Sequence, residues 1–185
     1  MDFLTFLRNR SDDMISLGLA HAAVVAVSVA LATLIGVGLG IATYQRERPR
    51  EIVLAMTGAF LTIPSFALFI LLLGPLGLGW RPVVVALTMY GLMPIVRNTI
   101  TGLQGVSPAV IESAKGMGLS RRQRLLRIEL PLAWPVIITG VRVTTLVLLG
   151  IAAIGAIVNG PGYGEFIFTG LARVGTPVAV NLVLA

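Results

Sequence analysis

Long apolar runs separated by short charged stretches set the plan of this chain. Residues 17–43 are almost uncharged, and a helix crosses a bilayer with about 20 residues. Residues 52–73, 83–100 and 132–158 are three further runs of the same kind, and another opens at Val178. Four spanning helices are predicted, with a fifth expected to be cut short at Ala185, because eight residues cannot cross. Phe3, Leu4, Phe6 and Leu7, followed by Arg8, Arg10, Asp12 and Asp13, read as an interfacial segment. The expected division is therefore 1–16 for that segment and 17–185 for an all-α integral membrane domain. Pro64, Pro94 and Pro135 interrupt three of the spans. Each frees a carbonyl that protein or cavity water must satisfy. Gly36 and Gly40 have the spacing for close helix packing. Residues 44–51 read as a tight charged loop, 74–82 as a glycine-rich turn and 159–177 as a glycine-rich loop with weak amphipathic character.

One polar and basic island, residues 112–131, lies between two of the apolar runs. Ser107 before Pro108 pairs an N-cap residue with a proline at the first helical position, where its missing N–H costs nothing. A short helix is predicted there, with Val110, Ile111, Ala114 and Met117 on one face and Glu112 and Lys115 off it. Gly116 and Gly118 should break it. Ser120 and Gln123 have capping-box spacing for a second helix carrying Leu125, Leu126, Ile128 and Leu130, which Pro131 should interrupt.

Glu112-Ser113-Ala114, Gly118 six residues after Glu112, and Ile128-Glu129-Leu130-Pro131 resemble the E-A-A-x3-G-x9-I-x-L-P loop of binding-protein-dependent ABC importer permeases. Ser113 replaces the second motif residue with another small one. Ile63-Pro64-Ser65, the stretch from Leu92 to Thr99, Lys115-Gly116-Met117-Gly118 and Gly140-Val141-Arg142 are similar to the osmoprotectant branch, whose permeases carry glycine betaine, carnitine or choline. The resemblance runs from about Leu17 to Leu171. It implies a type I ABC importer transmembrane fold of five or more spanning helices in a bacterial plasma (inner) membrane, with a cytoplasmic coupling-helix loop. It further implies partner ABC ATPase subunits, an extracytoplasmic substrate-binding protein or fused binding domain, and a second permease copy or paralogue. In that family the loop helix docks on the ATPase, so Glu112, Ser113, Ala114, Lys115, Gly116, Gly118 and Arg121 become the expected coupling residues. Relatives carry a G-A-G-G-L-G-like segment before the last helix, and Asn159-Gly160-Pro161-Gly162-Tyr163-Gly164 departs from it. That departure leaves another amino-acid-derived solute open.

Composition agrees with a membrane setting: 56% of residues are hydrophobic and 12% charged, against about 25% charged in soluble domains. The net charge of +6 sits in short loops, which reads as a topology signal instead of a nucleic-acid surface. Arg46, Arg48, Arg50, Arg97, Lys115, Arg121, Arg122, Arg124 and Arg127 fall on one side of the predicted spans, and Arg8, Arg10, Arg81 and Arg173 on the other. The excess places the island inside and the N-terminus outside. Bound to anionic headgroups, the island's arginines would alternatively make a juxtamembrane lipid site. With no cysteine and one histidine, Cys-based and multi-histidine metal sites are excluded, and no cofactor is expected. Asp2 and an apolar patch precede the first arginines, which is not the order of a secretory signal.

Several residues carry two readings. Glu112 either pairs with an arginine of the ATPase or of this chain, Arg121 or Arg124, or is a solvated helix charge. Arg142, about ten residues into its span, either faces a partner or cavity or snorkels to the inner interface. Pro64, Tyr90, Pro94, Asn98 and Arg142 are the candidate translocation-path residues, with interhelical hydrogen bonding the alternative for Asn98. His21 reads as interfacial. The aromatic residues are scattered without the cluster that would cage a quaternary ammonium. No Walker A sequence is present, so ATP chemistry is expected in a partner and not in this chain. An intramembrane enzyme lacks its residues here, and a passive channel is the remaining rival.

Overall fold

The computed structural model describes residues 8–173, and among them all regular structure is helical. In order these are α1 (Ser11–Thr43), α2 (Glu47–Thr62), α3 (Ser65–Leu76), α4 (Trp80–Gln104), α5 (Pro108–Gly116) and α6 (Arg121–Arg124). A π-helical turn, Leu125–Glu129, leads into α7 (Leu130–Ile154), a 3₁₀ turn, Gly155–Val158, and α8 (Gly164–Ala172). Ser11–Thr43, Trp80–Gln104 and Arg121–Val158 are long and apolar enough to cross a membrane. The pair α2 and α3 makes a fourth span if the two halves cross as one. The predicted fifth span and the patch from Phe3 to Leu7 lie outside the described residues.

The prolines behave differently from one another. Residues 52–73 are not one kinked helix: α2 and α3 meet at 99°. Pro64 has the extended ψ of 132°, and a proline ring disfavours the helical region for the residue before it, so Ile63 ends α2 and α3 begins after Pro64. By contrast α4 runs through Pro94 and α7 through Pro135. Pro131 does not stop its helix either. Just before it the Leu130 N–H bonds to the Leu125 carbonyl, one residue further back than in an α-helix, which relieves the contact that the ring would make with the preceding turn.

Three loops are shorter than predicted, the glycine-rich turn at 74–82 among them, where only residues 77–79 separate α3 from α4. The charged loop is reduced to residues 44–46, because α2 starts at Glu47. Within the glycine-rich stretch, Asn159 at φ 54° and Gly162 at φ 125° turn the chain tightly enough for α8 to form.

The chain divides into two compact units. The first comprises residues 8–29, 63–88 and 146–173 of the described part. Here α3 packs on the 3₁₀ turn, and the Gly79 N–H donates to the Val158 carbonyl at 2.7 Å. His21 is not interfacial but buried, with Nε2–H donating to the Leu149 carbonyl at 3.1 Å and its ring 5.8 Å from that of Tyr163.

The second unit comprises residues 30–62 and 89–145. Lipid tails are as apolar as leucine, so close contact more than water exclusion must hold such helices together. Glycines supply it. Added Cβ atoms at Gly36 and Gly40 would lie 2.8 Å from Ile95 and 2.6 Å from Thr99, so the predicted spacing does mark where α1 meets α4. At Gly102 and Gly140, α4 and α7 meet in the same way. Tyr44, Val96, Ile100, Leu103, Ala133 and Ile137 form the buried centre of this unit.

Candidate functional site

Ser107 occupies the N-cap of α5 and Pro108 its first turn, although the Ser107 hydroxyl makes no capping bond. The helix ends as a Schellman motif: the Leu119 N–H reaches the Ala114 carbonyl at 3.2 Å and the Gly118 N–H the Lys115 carbonyl at 2.9 Å. That closure needs a left-handed residue, and Gly118 supplies φ 77°. Gly116 is still helical. Substituting Gly118 by alanine is expected to cost about 1 kcal/mol for the left-handed backbone. Faster tryptic cleavage at Lys115 or Arg121 would read this out, and an unchanged rate would refute it. At the next helix the capping box is complete, with the Gln123 N–H donating to Ser120 Oγ and the Ser120 N–H donating to Gln123 Oε1.

Only Ala114 of α5 is fully buried. Val110, Glu112, Ser113, Lys115, Gly116 and Met117 are exposed, Met117 at 69%. Ser113 Oγ donates to the Ala109 carbonyl at 2.9 Å. Glu112 pairs with Lys115 at 2.7 Å, which holds its carboxyl below the usual carboxylate range. Neither Arg121 nor Arg124 is its partner. Arg121 donates to Gln45 Oε1 at 2.6 Å, and Arg124 turns inward.

Its acceptor is Glu129, the one large charged side chain in the buried interior of the described residues. Arg124 Nε donates to Glu129 Oε1 at 2.8 Å and the Tyr44 hydroxyl to Oε2 at 2.7 Å. Burial, reinforced by the Glu129 carboxylate, pushes the Tyr44 hydroxyl up to about 12, so it stays a donor at neutral pH. Gln45 Nε2 donates to the same hydroxyl, and Gln104 Nε2 to the Tyr44 carbonyl at 2.9 Å. A cavity of about 490 Å³ lies between this cluster and α5, with Pro108, Ile111 and Lys115 on one wall and Tyr44, Arg124 and Glu129 on the other. Sequence reading missed Tyr44, Gln45, Gln104 and Glu129. An acid flanked by Ile128 and Leu130 next to a span was the available signal.

The path candidates fall in both units. Pro64 is exposed at the α2–α3 break and belongs to the first unit. Tyr90 is buried in α4. Asn98 bonds within its own helix, its Nδ2 donating to the Pro94 carbonyl at 2.8 Å, and not across helices. Those two residues pack directly on Gly140. Arg142 is exposed, and at about 100° per residue it lies opposite the buried stripe of Ala133, Ile137, Gly140, Thr144 and Leu148. Among the described residues it has no hydrogen-bond or ion-pair partner.

Residues 32–185 match the binding-protein-dependent transport system inner membrane component family. The chain belongs to that family of membrane proteins. It is 33% identical over 168 residues to a glycine betaine/carnitine/choline transport system permease protein of Bacillus subtilis, covering 91% of this chain and 77% of that protein. Against a choline transport system permease protein of the same organism it is 40% identical over 119 residues, covering 64% and 55%. An osmoprotectant import permease protein of Salmonella typhimurium is 42% identical over 110 residues, covering 60% and 47%. The chain thus spans about half the length of the latter two. The inward-facing MetNI methionine ABC transporter superposes with a TM-score of 0.76 at 22% identity, covering 91% of this chain and 84% of that one. The fold is accordingly that of a type I ABC importer membrane subunit.

Proposed function

We propose that this chain is the permease subunit of an ATP-driven importer, with α5 as the helix that docks on a separate ATPase subunit. The observation that carries this is the exposure of α5 and its end, where Glu112 on one side and Val110 and Met117 on the other lie open beside the Schellman turn at Gly118. Buried Ala114 anchors the helix. The basic excess puts that face in the cytoplasm and the N-terminus outside. A second copy or paralogue covers the open side of α7 and, with it, encloses a path on which Arg142 lies. Pro94 and Asn98 stand at the same level of the helix pair. An extracytoplasmic binding protein delivers the solute, a small zwitterion or quaternary ammonium compound such as glycine betaine, choline or carnitine. The relatives' solutes and the resemblance in 92–99 and 140–142 support that class.

The test is co-purification of the full-length chain with the ATPase encoded beside it. Wild type is expected to retain the ATPase and Glu112→Lys to lose it while remaining folded in the membrane, since the change reverses a charge that is 70% exposed. Equal retention would remove α5 as the docking helix and bring the channel or lipid readings forward.

A further inference from the structure

Docking explains the outer face of α5 and leaves its inner side unexplained. Beneath that side a carboxylate sits at 1% exposure in a segment that otherwise packs apolar groups. Burying a charge is costly unless it is paired and hydrogen-bonded, and Glu129 is both. Its partners come from separate places. Arg124 follows α5 through the capped turn at Ser120, whereas Tyr44 directly follows the end of α1. Gln45 adds a second link, accepting from Arg121 and donating to the Tyr44 hydroxyl, and Gln104 at the end of α4 holds the Tyr44 backbone. Glu129 closes the π turn, a helix form that is rare and frequent at functional sites.

Polar bonds thus join the α5–α6 loop to the inner ends of α1 and α4, while α5 itself has a cavity behind it and room to shift. We propose that the Tyr44–Glu129–Arg124 cluster is the tie through which movement of the loop reaches α1, making Tyr44 and Glu129 positioning residues for energy coupling. The proposal rests on the importer reading and assigns within it a role to side chains that touch neither ATPase nor solute. Packing alone would hold the loop in place. A short, charge-assisted tie with fixed direction also transmits displacement.

The test uses the full-length complex with its ATPase and binding protein in lipid vesicles, measuring glycine betaine taken up per ATP hydrolysed. Tyr44→Phe keeps the ring and removes the hydroxyl. Gln45→Ala alters only an exposed side chain, so it reports even if loss of the buried hydroxyl prevents folding. ATPase should be retained in both. The uptake ratio should fall about fivefold in Tyr44→Phe, the factor that one net hydrogen bond is worth, and by a smaller factor in Gln45→Ala. A purely structural role would lower yield and thermal stability with the ratio unchanged, and an unchanged ratio in the folded variants overturns the proposal. Failure of the wild type to retain the ATPase would instead sink the importer reading.

Discussion

Replacing Glu129 by alanine is expected to destabilise the chain by about 3 kcal/mol, the lower part of the range for breaking a buried ion pair. The change strands two groups at once. Arg124 is only 13% exposed at its side chain, and the Tyr44 hydroxyl loses its acceptor. The cavity beside them lets the arginine reach water, which keeps the cost from the upper end of the range. Glu129→Gln preserves volume and one acceptor, so its loss should be smaller, about 1–2 kcal/mol for a weakened charge-assisted bond. Thermal unfolding in detergent would rank the three proteins. An alanine variant that melts with the wild type would mean that the pair is not formed.

The second large effect is expected at Gly140. A Cβ there would lie 2.8 Å from the Asn98 Cβ and 3.0 Å from the Pro94 carbonyl oxygen. The oxygen belongs to the backbone of α4 and already accepts from Asn98, so it cannot simply turn aside. Gly140→Val adds further bulk to the same contact and should cost about 3 kcal/mol or more, at or beyond the upper end for overpacking. Size-exclusion profiles and tryptic stability of the detergent-purified variant would report it. Gly150→Val, at a position with no neighbour within 4 Å of the added atom, serves as control. Similar behaviour of the two variants would contradict the close approach of α4 and α7.

Hydropathy read three of the spans well because membrane solvation acts on each segment separately. Local chemistry was also legible: Ser120 and Gln123 formed their capping box, and Gly118 took the left-handed conformation that ends α5. The three span prolines, however, look alike in sequence and differ in the fold. Pro94 packs on Gly140 of α7 through its own carbonyl, which also accepts from Asn98. Pro64 stands exposed at a 99° break. What decides between kink, break and straight passage is the neighbouring helix, which no local pattern encodes. The partners of Glu129 were illegible for a related reason. Its hydroxyl donor lies 85 residues away, and its arginine five residues back, outside the i,i+3 and i,i+4 spacings by which helical pairs are recognised. The family resemblance pointed to the exposed half of the loop, so Tyr44 and Gln45 escaped attention.

The π turn also sets a phase. One residue more than an α turn needs is accommodated between Leu125 and Glu129, and each residue of an α-helix accounts for about 100° of rotation. Wound into ordinary α-helix with that residue kept, the turn would put α6 and α7 out of step by that angle. With the span held in its packing, the basic loop would swing about the axis, and with the loop held, Gly140 would leave Asn98. The wide turn is therefore the gear setting between the arginine-rich end of this helix and its membrane end, and winding it tighter would disengage them.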